Sequence, residues 1–239
     1  DRRNNLWKPE AGPKTRVRIV PYVHRKDNPF LELYFHYDIA KRSMLSPVSF
    51  GNADPVVEFA EKLKKTGDKD EWLMGRKIEP KMRTYVPVIV RGKEAEGVKF
   101  WGFGKTIYTE LLSIVSDPDY GDIMNGRDID VEFIPAEGGG YPKTTIRVKP
   151  NTTPATEDKG IAEKIMNQPV ITDIFPEPTY EELETALKEW MNPDDDSADV
   201  DTSSNTVADT SGKTEEKAEA KTEEKQTDVA SAFNDLFNK

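Results

Sequence analysis

Several stretches of this sequence place cations and aromatic rings at every second position, which sets them on one face of a strand. Around residues 82–91, Met82, Thr84, Val86, Val88 and Val90 suit a core, leaving Arg83, Tyr85, Pro87, Ile89 and Arg91 on the other side. The stretch 16–22 divides into Val17 and Ile19 against Arg16, Arg18 and Tyr22. Val98 and Phe100 stand against Lys99, Trp101 and Phe103. Tyr34 and His36 lie opposite Leu31, Leu33 and Phe35. In the last stretch, Lys143, Arg147 and Lys149 lie opposite Thr144, Ile146 and Val148. Such a mixed face suits a single-stranded nucleic acid: cations follow phosphates and rings stack on bases. Each stacked base contributes roughly 1–3 kcal/mol whatever its identity, so little sequence preference is expected. Arg76, Lys77, Lys81 and Lys105 add to the positive set.

Other chemistries find less support. The chain has no cysteine, which excludes disulfides, thiolate metal sites and cysteine nucleophiles. His24 and His36 are its two histidines, and no Ser-His-Asp motif surrounds either. Gly102-Phe103-Gly104-Lys105-Thr106 resembles the end of a phosphate-binding loop, but Lys99 stands where that motif needs its first glycine. No catalytic role is expected. No run approaches 18 apolar residues and no signal-peptide pattern opens the sequence, so neither a membrane span nor secretion is expected.

The net charge of -10 conceals a division. Residues 1–150 hold 26 Lys and Arg against 22 Asp and Glu, a net of +4, and within 1–105 the balance is 22 against 14, a net of +8. Residues 151–239 hold 8 against 22, a net of -14. A basic body on an acidic tail suits a polyanion and an internal competitor for it.

The elements that position these residues read as mainly β with inserted helices, an α+β chain. Strands are expected at Arg16–Tyr22, Leu31–Ile39, Met82–Arg91 and Val98–Phe103, with a hairpin of Asp128–Ile134 and Lys143–Lys149. Asp54-Pro55 opens a helix carrying Val56, Phe59, Ala60 and Leu63, ended by Gly67. Lys105–Ser116 reads as a second helix, stopped by Asp117-Pro118. Five or six strands with a helix before the last pair suggest an OB-fold-like barrel over 1–150. Residues 151–191 form a helical extension packing on that core. It has one short helix at Gly160–Asn167 and a clearer one at Thr179–Met191, where Thr179 and Glu182 make a capping box. Residues 192–239 are an expected disordered acidic tail. It ends in an amphipathic docking helix at 228–238 that carries Val229, Phe233, Leu236 and Phe237.

Trp7-Lys8, Arg18-Ile19-Val20-Pro21, the strand with His36, Arg83-Thr84-Tyr85 and Phe103-Gly104-Lys105-Thr106-Ile107-Tyr108 follow in that order. With the acidic tail they resemble the single-stranded DNA-binding, helix-destabilising (gene thirty-two) proteins of T-even-type bacteriophages. The resemblance covers most of 7–167 and the character of the tail. It implies an OB-fold core that coats single-stranded DNA in phage replication, recombination and repair, in the cytoplasm of an infected bacterium. It implies that the tail contacts replication and recombination proteins, with Phe233, Leu236 and Phe237 as the docking residues. The expected DNA contacts are Arg16, Arg18, Tyr34, Trp72, Arg76, Lys77, Lys81, Arg83, Tyr85, Lys99, Trp101, Phe103, Lys105, Tyr108, Arg147 and Lys149.

The sequence departs from that family in three places. The family's zinc is held by one His and three Cys. His36 stands at the matching His, but Asp54-Pro55-Val56-Val57 replaces a Cys-Pro-Val-Cys run and the third cysteine is missing. No structural zinc and no other cofactor is expected. The family's basic N-terminal arm has no counterpart before Trp7, so cooperative coating is not expected of the sequence given. Aromatics expected after the last core strand are missing from Pro150–Asp158. The alternative reading is an OB-fold adaptor that binds RNA or recruits proteins.

Overall fold

The computed structural model describes residues 2–25, 28–115, 122–138 and 140–192. Among them the chain is a mixed α+β fold with eight strands in a mostly open sheet and six helices. The strands are β1 (Leu6–Trp7), β2 (Thr15–Ile19), β3 (Leu31–His36), β4 (Met44–Leu45), β5 (Lys81–Val90), β6 (Lys99–Phe103), β7 (Gly126–Ile134) and β8 (Lys143–Thr153). The helices are α1 (Pro55–Lys65), α2 (Lys69–Ile78), α3 (Lys105–Val115), α4 (Lys159–Met166), α5 (Ile171–Ile174) and α6 (Tyr180–Met191). The sheet runs β1-β6-β5-β2-β7-β8, with β3 joined to β5 and β4. No helix of the described residues is long and apolar enough to cross a membrane. Asp117-Pro118, Val229, Phe233, Leu236 and Phe237 lie outside the described residues.

The chain divides into two compact units, each assembled from distant stretches. The first combines residues up to Tyr34 with Met82–Glu177 and holds most of the sheet. Val17, Ile19, Val86, Val88, Val90, Ile129, Val131 and Ile146 line one face, closed by Ile107 and Leu111 of α3. These positions alternate along their strands, as one buried face requires. The opposite face is covered over β5 and β6 by the segment after β8. Val20, Ile89 and Val98 pack there with Ala155 and Ile165 of that segment.

The register of β6 against β5 overturns the assignment of Trp101 and Phe103 to an outer face. Antiparallel pairing sets Trp101 opposite Val86 and Phe103 opposite Thr84, so both point into the first core. Trp101 is 1 % exposed and Phe103 4 %. Phe100 and Val98, expected in the core, are also buried, on the covered face. A strand buried on both faces loses the clean alternation that sequence reasoning relies on.

The second unit combines Phe35–Lys81 with the described residues from Pro178. Asp54 caps α1, accepting from the backbone N–H groups of Val56 at 2.9 Å and Val57 at 3.2 Å. Pro55 occupies the first turn, where no N–H is needed. Val56, Phe59, Ala60 and Leu63 meet Ile78 of α2 and Leu183, Ala186 and Leu187 of α6 in one apolar cluster. The capping box of Thr179 and Glu182 opens α6. Helix α2 was not expected. Asp68 caps it, but it buries only Gly75 and Ile78, so it carries no full apolar stripe. Gly75 lets α2 lie close to α1, because a Cβ there would stand 2.8 Å from the Ala60 carbonyl oxygen.

Candidate nucleic-acid interface

The sixteen expected contact residues separate by what already holds them. Trp101 and Phe103 belong to the core: their rings pack edge to face at 4.8 Å, with Trp7 at 5.7 Å from Trp101. Arg18 is wholly buried and belongs to a structural network, not to an outer face. Its guanidinium donates to Asp128 Oδ1 at 2.7 Å, to Thr153 Oγ1 at 3.3 Å and to the Thr153 carbonyl. Arg91 meets the same carboxylate at 2.9 and 3.0 Å and donates to the carbonyls of Pro154 and Ala155. Two guanidiniums thus clamp β2, β5 and β7 to the segment leaving β8. Burial pulls the Arg18 guanidinium below its usual value, against the opposing pull of Asp128.

A second group is present at the surface with its charge already matched. Arg16 pairs with Asp130 at 2.9 Å and Lys149 meets the same carboxylate at 2.6 Å. Burial raises the Asp130 carboxyl, but the hydrogen bonds from Lys149 and Arg16 outweigh it and hold the group below the usual range. Lys99 is shared between the Asn4 carbonyl and Glu96. Tyr108 packs on Phe30 at 5.5 Å and donates its hydroxyl to Glu32 at 2.5 Å. Burial and the Glu32 carboxylate push that phenol up to about 12.

What remains in the first unit is a smaller set. Arg83 is half-buried and Lys105 and Arg147 are exposed, each without an ion pair among the described residues. Tyr85 shares the face of Arg83 and lies half-buried with Phe175 at 4.8 Å. Gly102, paired with Tyr85, makes room for that ring, since a Cβ there would come within 2.5 Å of it. Thr84 pairs with Phe103, Arg83 precedes the one and Lys105 follows the other by two residues. Both cations therefore stand at the same end of the β5–β6 pair. Lys105 also opens α3, whose first turn has exposed N–H donors in the sense of any helix start and no acidic side chain. Tyr34 is half-buried on β3.

In the second unit, α2 turns Trp72, Leu73, Arg76 and Lys77 outward. The Trp72 ring is 44 % exposed and the Arg76 guanidinium lies over it at 5.4 Å. Arg76 is also 3.8 Å from Glu79, and Lys81 is 4.0 Å from Asp38. Leu73, half-exposed beside Trp72, is a surface residue that sequence reasoning missed. Its exposure follows from the α2 cap and register, which no sequence signal disclosed.

The same unit contains a buried polar node. His36 Nδ1 faces the Ile78 carbonyl at 2.9 Å and Nε2 faces Asp54 Oδ2 at 2.9 Å. Ser46 Oγ donates to that Asp54 oxygen at 2.5 Å, while Oδ1 accepts the two cap N–H groups of α1. Both ring nitrogens of His36 are therefore held by oxygens of the node. Burial raises the Asp54 carboxyl, but His36, Ser46 and the Val57 N–H outweigh it and hold the group below its usual range. Ser46 and His36 both bond to Asp54 and not to each other, so no Ser-to-His relay forms. These residues also do not fit a zinc ion. Both His36 nitrogens and both Asp54 oxygens are engaged within the node, and the described residues contain no group of three His, Cys, Asp or Glu able to hold a metal.

No protein-family model and no curated protein matches this chain.

Proposed function

We propose that the chain binds single-stranded DNA without reading its sequence and without catalysing a reaction. The observation that carries this reading is the placement of Arg83 and Lys105, cations without an ion pair among the described residues, at one end of β5–β6, with the Tyr85 ring on the same face as Arg83. Unmatched cations are what a phosphate backbone neutralises, and a ring beside them gives a base a surface to stack on. In the second unit α2 sets the exposed Trp72 ring near Lys77 and near Arg76, whose guanidinium lies over the ring and within 3.8 Å of Glu79. With Trp101 and Phe103 in the core, phosphate contacts carry a larger share of the binding than the sequence suggested.

The antiparallel strands, with α3 set before the last hairpin, are compatible with an OB-type core, and that architecture is part of the proposal. So are the family resemblance, the work in phage replication, recombination and repair in a bacterial cytoplasm, and the partner contacts of the tail. No cofactor is proposed.

Replacing Arg83 and Lys105 together by Ala tests the site. The double variant is expected to bind oligo-dT more weakly. The slope of log affinity against log salt is expected to fall by about 1.4, at roughly 0.7 per lost phosphate contact on a single strand. An Arg16→Ala variant is expected to change the slope less, because Asp130 already occupies that cation. An unchanged slope in the double variant, read by fluorescence anisotropy across salt concentrations, would remove β5–β6 as the interface.

A further inference from the structure

We infer that the far end of the β7–β8 hairpin is a second contact for single-stranded nucleic acid, formed by Tyr141, Lys143 and Arg147. This rests on the single-strand reading above and extends it to a surface outside the β5–β6 site.

The hairpin pairs out to Ile134 and Lys143, and its tip lies beyond that pair. The base is braced by a bridge from Ala11 to Phe133 and by the Gly12 N–H on the Phe133 carbonyl at 3.3 Å. At the tip, Gly138 takes a left-handed φ of 59° and the Gly140 N–H closes on the Glu137 carbonyl at 3.0 Å. Tyr141 follows at 64 % exposure, the most exposed aromatic ring among the described residues. Pro142 comes next, and a residue before proline is confined to extended backbone. The ring is thus displayed on a restrained support and loses little freedom when a base stacks on it.

The cations beside it are in excess. Lys143, Thr145, Arg147 and Lys149 share one face of β8 by alternation. On the neighbouring strand Asp130 lies opposite Arg147 and Glu132 opposite Thr145. Both carboxylates are already taken, Asp130 by Arg16 and Lys149 and Glu132 by Lys14. Lys143 and Arg147 have no ion pair among the described residues. An exposed ring two residues from Lys143, with Arg147 about 13 Å further along the same face of β8, fits a polyanion that carries its own rings better than it fits an apolar peptide.

Strand register separates this contact from the first. Arg18 lies opposite both Ile89 and Asp128; Arg83 on β5 and the Ile134–Lys143 pair lie to opposite sides of that row, so about 40 Å separates the two contacts along the strands. A short oligonucleotide reaches one contact and a longer one reaches both.

The test uses the full chain with Tyr141→Ala and Lys143→Ala variants, titrated with oligo-dT of about 4 and about 16 nucleotides, within the site sizes of such folds. Both side chains are exposed, so unchanged thermal melts are expected. Tyr141→Ala is expected to weaken binding of the longer oligonucleotide about fivefold or more, from the loss of one stacked base, and to leave the shorter nearly unchanged. Iododeoxyuridine in the longer oligonucleotide is expected to cross-link to Tyr141. Wild-type affinity in both variants, with the parent chain still binding, overturns the hairpin contact alone. A parent chain that binds neither length overturns the single-strand reading and this contact with it.

Discussion

Replacing Asp128 by Ala is expected to cost about 3–5 kcal/mol, the range seen when one partner of a buried ion pair is removed. The size follows from what stays behind. Arg18 is wholly buried and Arg91 largely so, and Asp128 is the carboxylate that both guanidiniums meet. Without it two positive charges remain in a poorly solvated site, answered by carbonyl and hydroxyl oxygens and, at longer range, by Asp122. The network also ties residues 153–155 to the sheet, so the packing of Ala155 and α4 against Ile89 and Val98 should loosen. Asp130→Ala provides the control. Its partners Arg16 and Lys149 are substantially exposed and can return to water, which limits the loss to about 0–1 kcal/mol. Urea denaturation of the two variants measures both. Equal losses would show that the Arg18 network is not what stabilises the first unit.

Asp54→Ala is expected to have a comparable effect on the second unit, again about 3–5 kcal/mol, from two buried groups left unpaired and a lost helix cap. One carboxylate there caps α1, accepts from Ser46 and faces buried His36. Its removal leaves two buried polar groups unpaired and costs the cap as well, the cap alone being about 1 kcal/mol. Asp54→Asn keeps an oxygen for the cap and should lose less. The pH dependence has a definite sign. The folded state holds the Asp54 carboxyl below its ordinary value, so the unfolded chain binds the proton first as the solution is acidified. The contribution is therefore complete above the ordinary carboxylate range and is lost as the pH falls through the lower folded value. Hydrogen-exchange protection factors over residues 35–81, taken against the intrinsic exchange rate at each pH, are expected to fall on acidification, and Asp54→Asn should remove most of that response. Protection factors in this segment that do not change with pH in the acid range would contradict the role given to the node.

Much of the fold was legible because local chemistry and tertiary structure agree. Asp54-Pro55 marks a helix start, Thr179 and Glu182 make a capping box, and the alternation from Met82 to Val90 places a strand; all three are present. Helix α2 was missed because Trp72 and Leu73 face outward and only two of its residues are buried. The error at Trp101 has a different origin. Alternation tells which residues share a face, but not which face the partner strand makes the core. Only the register against Val86 decides that, and register is set by residues far away in the chain.

The site was less legible than the fold. A sequence shows a cation but not the carboxylate that folding brings to it. Arg16, Arg18 and Lys149 look alike in sequence to Arg83, Lys105 and Arg147. Asp128 and Asp130 on β7 neutralise the first three and leave the second three. Tyr141 was passed over because its surroundings read as a turn, where a ring carries no periodic signal.

The central claim is most directly tested by titrating the full chain with oligo-dT, oligo-rU and a duplex at two salt concentrations. The account predicts binding to the DNA single strand whose affinity falls linearly in log–log coordinates as salt rises, with little dependence on base identity. Salt-insensitive binding, or none to oligo-dT at low salt, would contradict it.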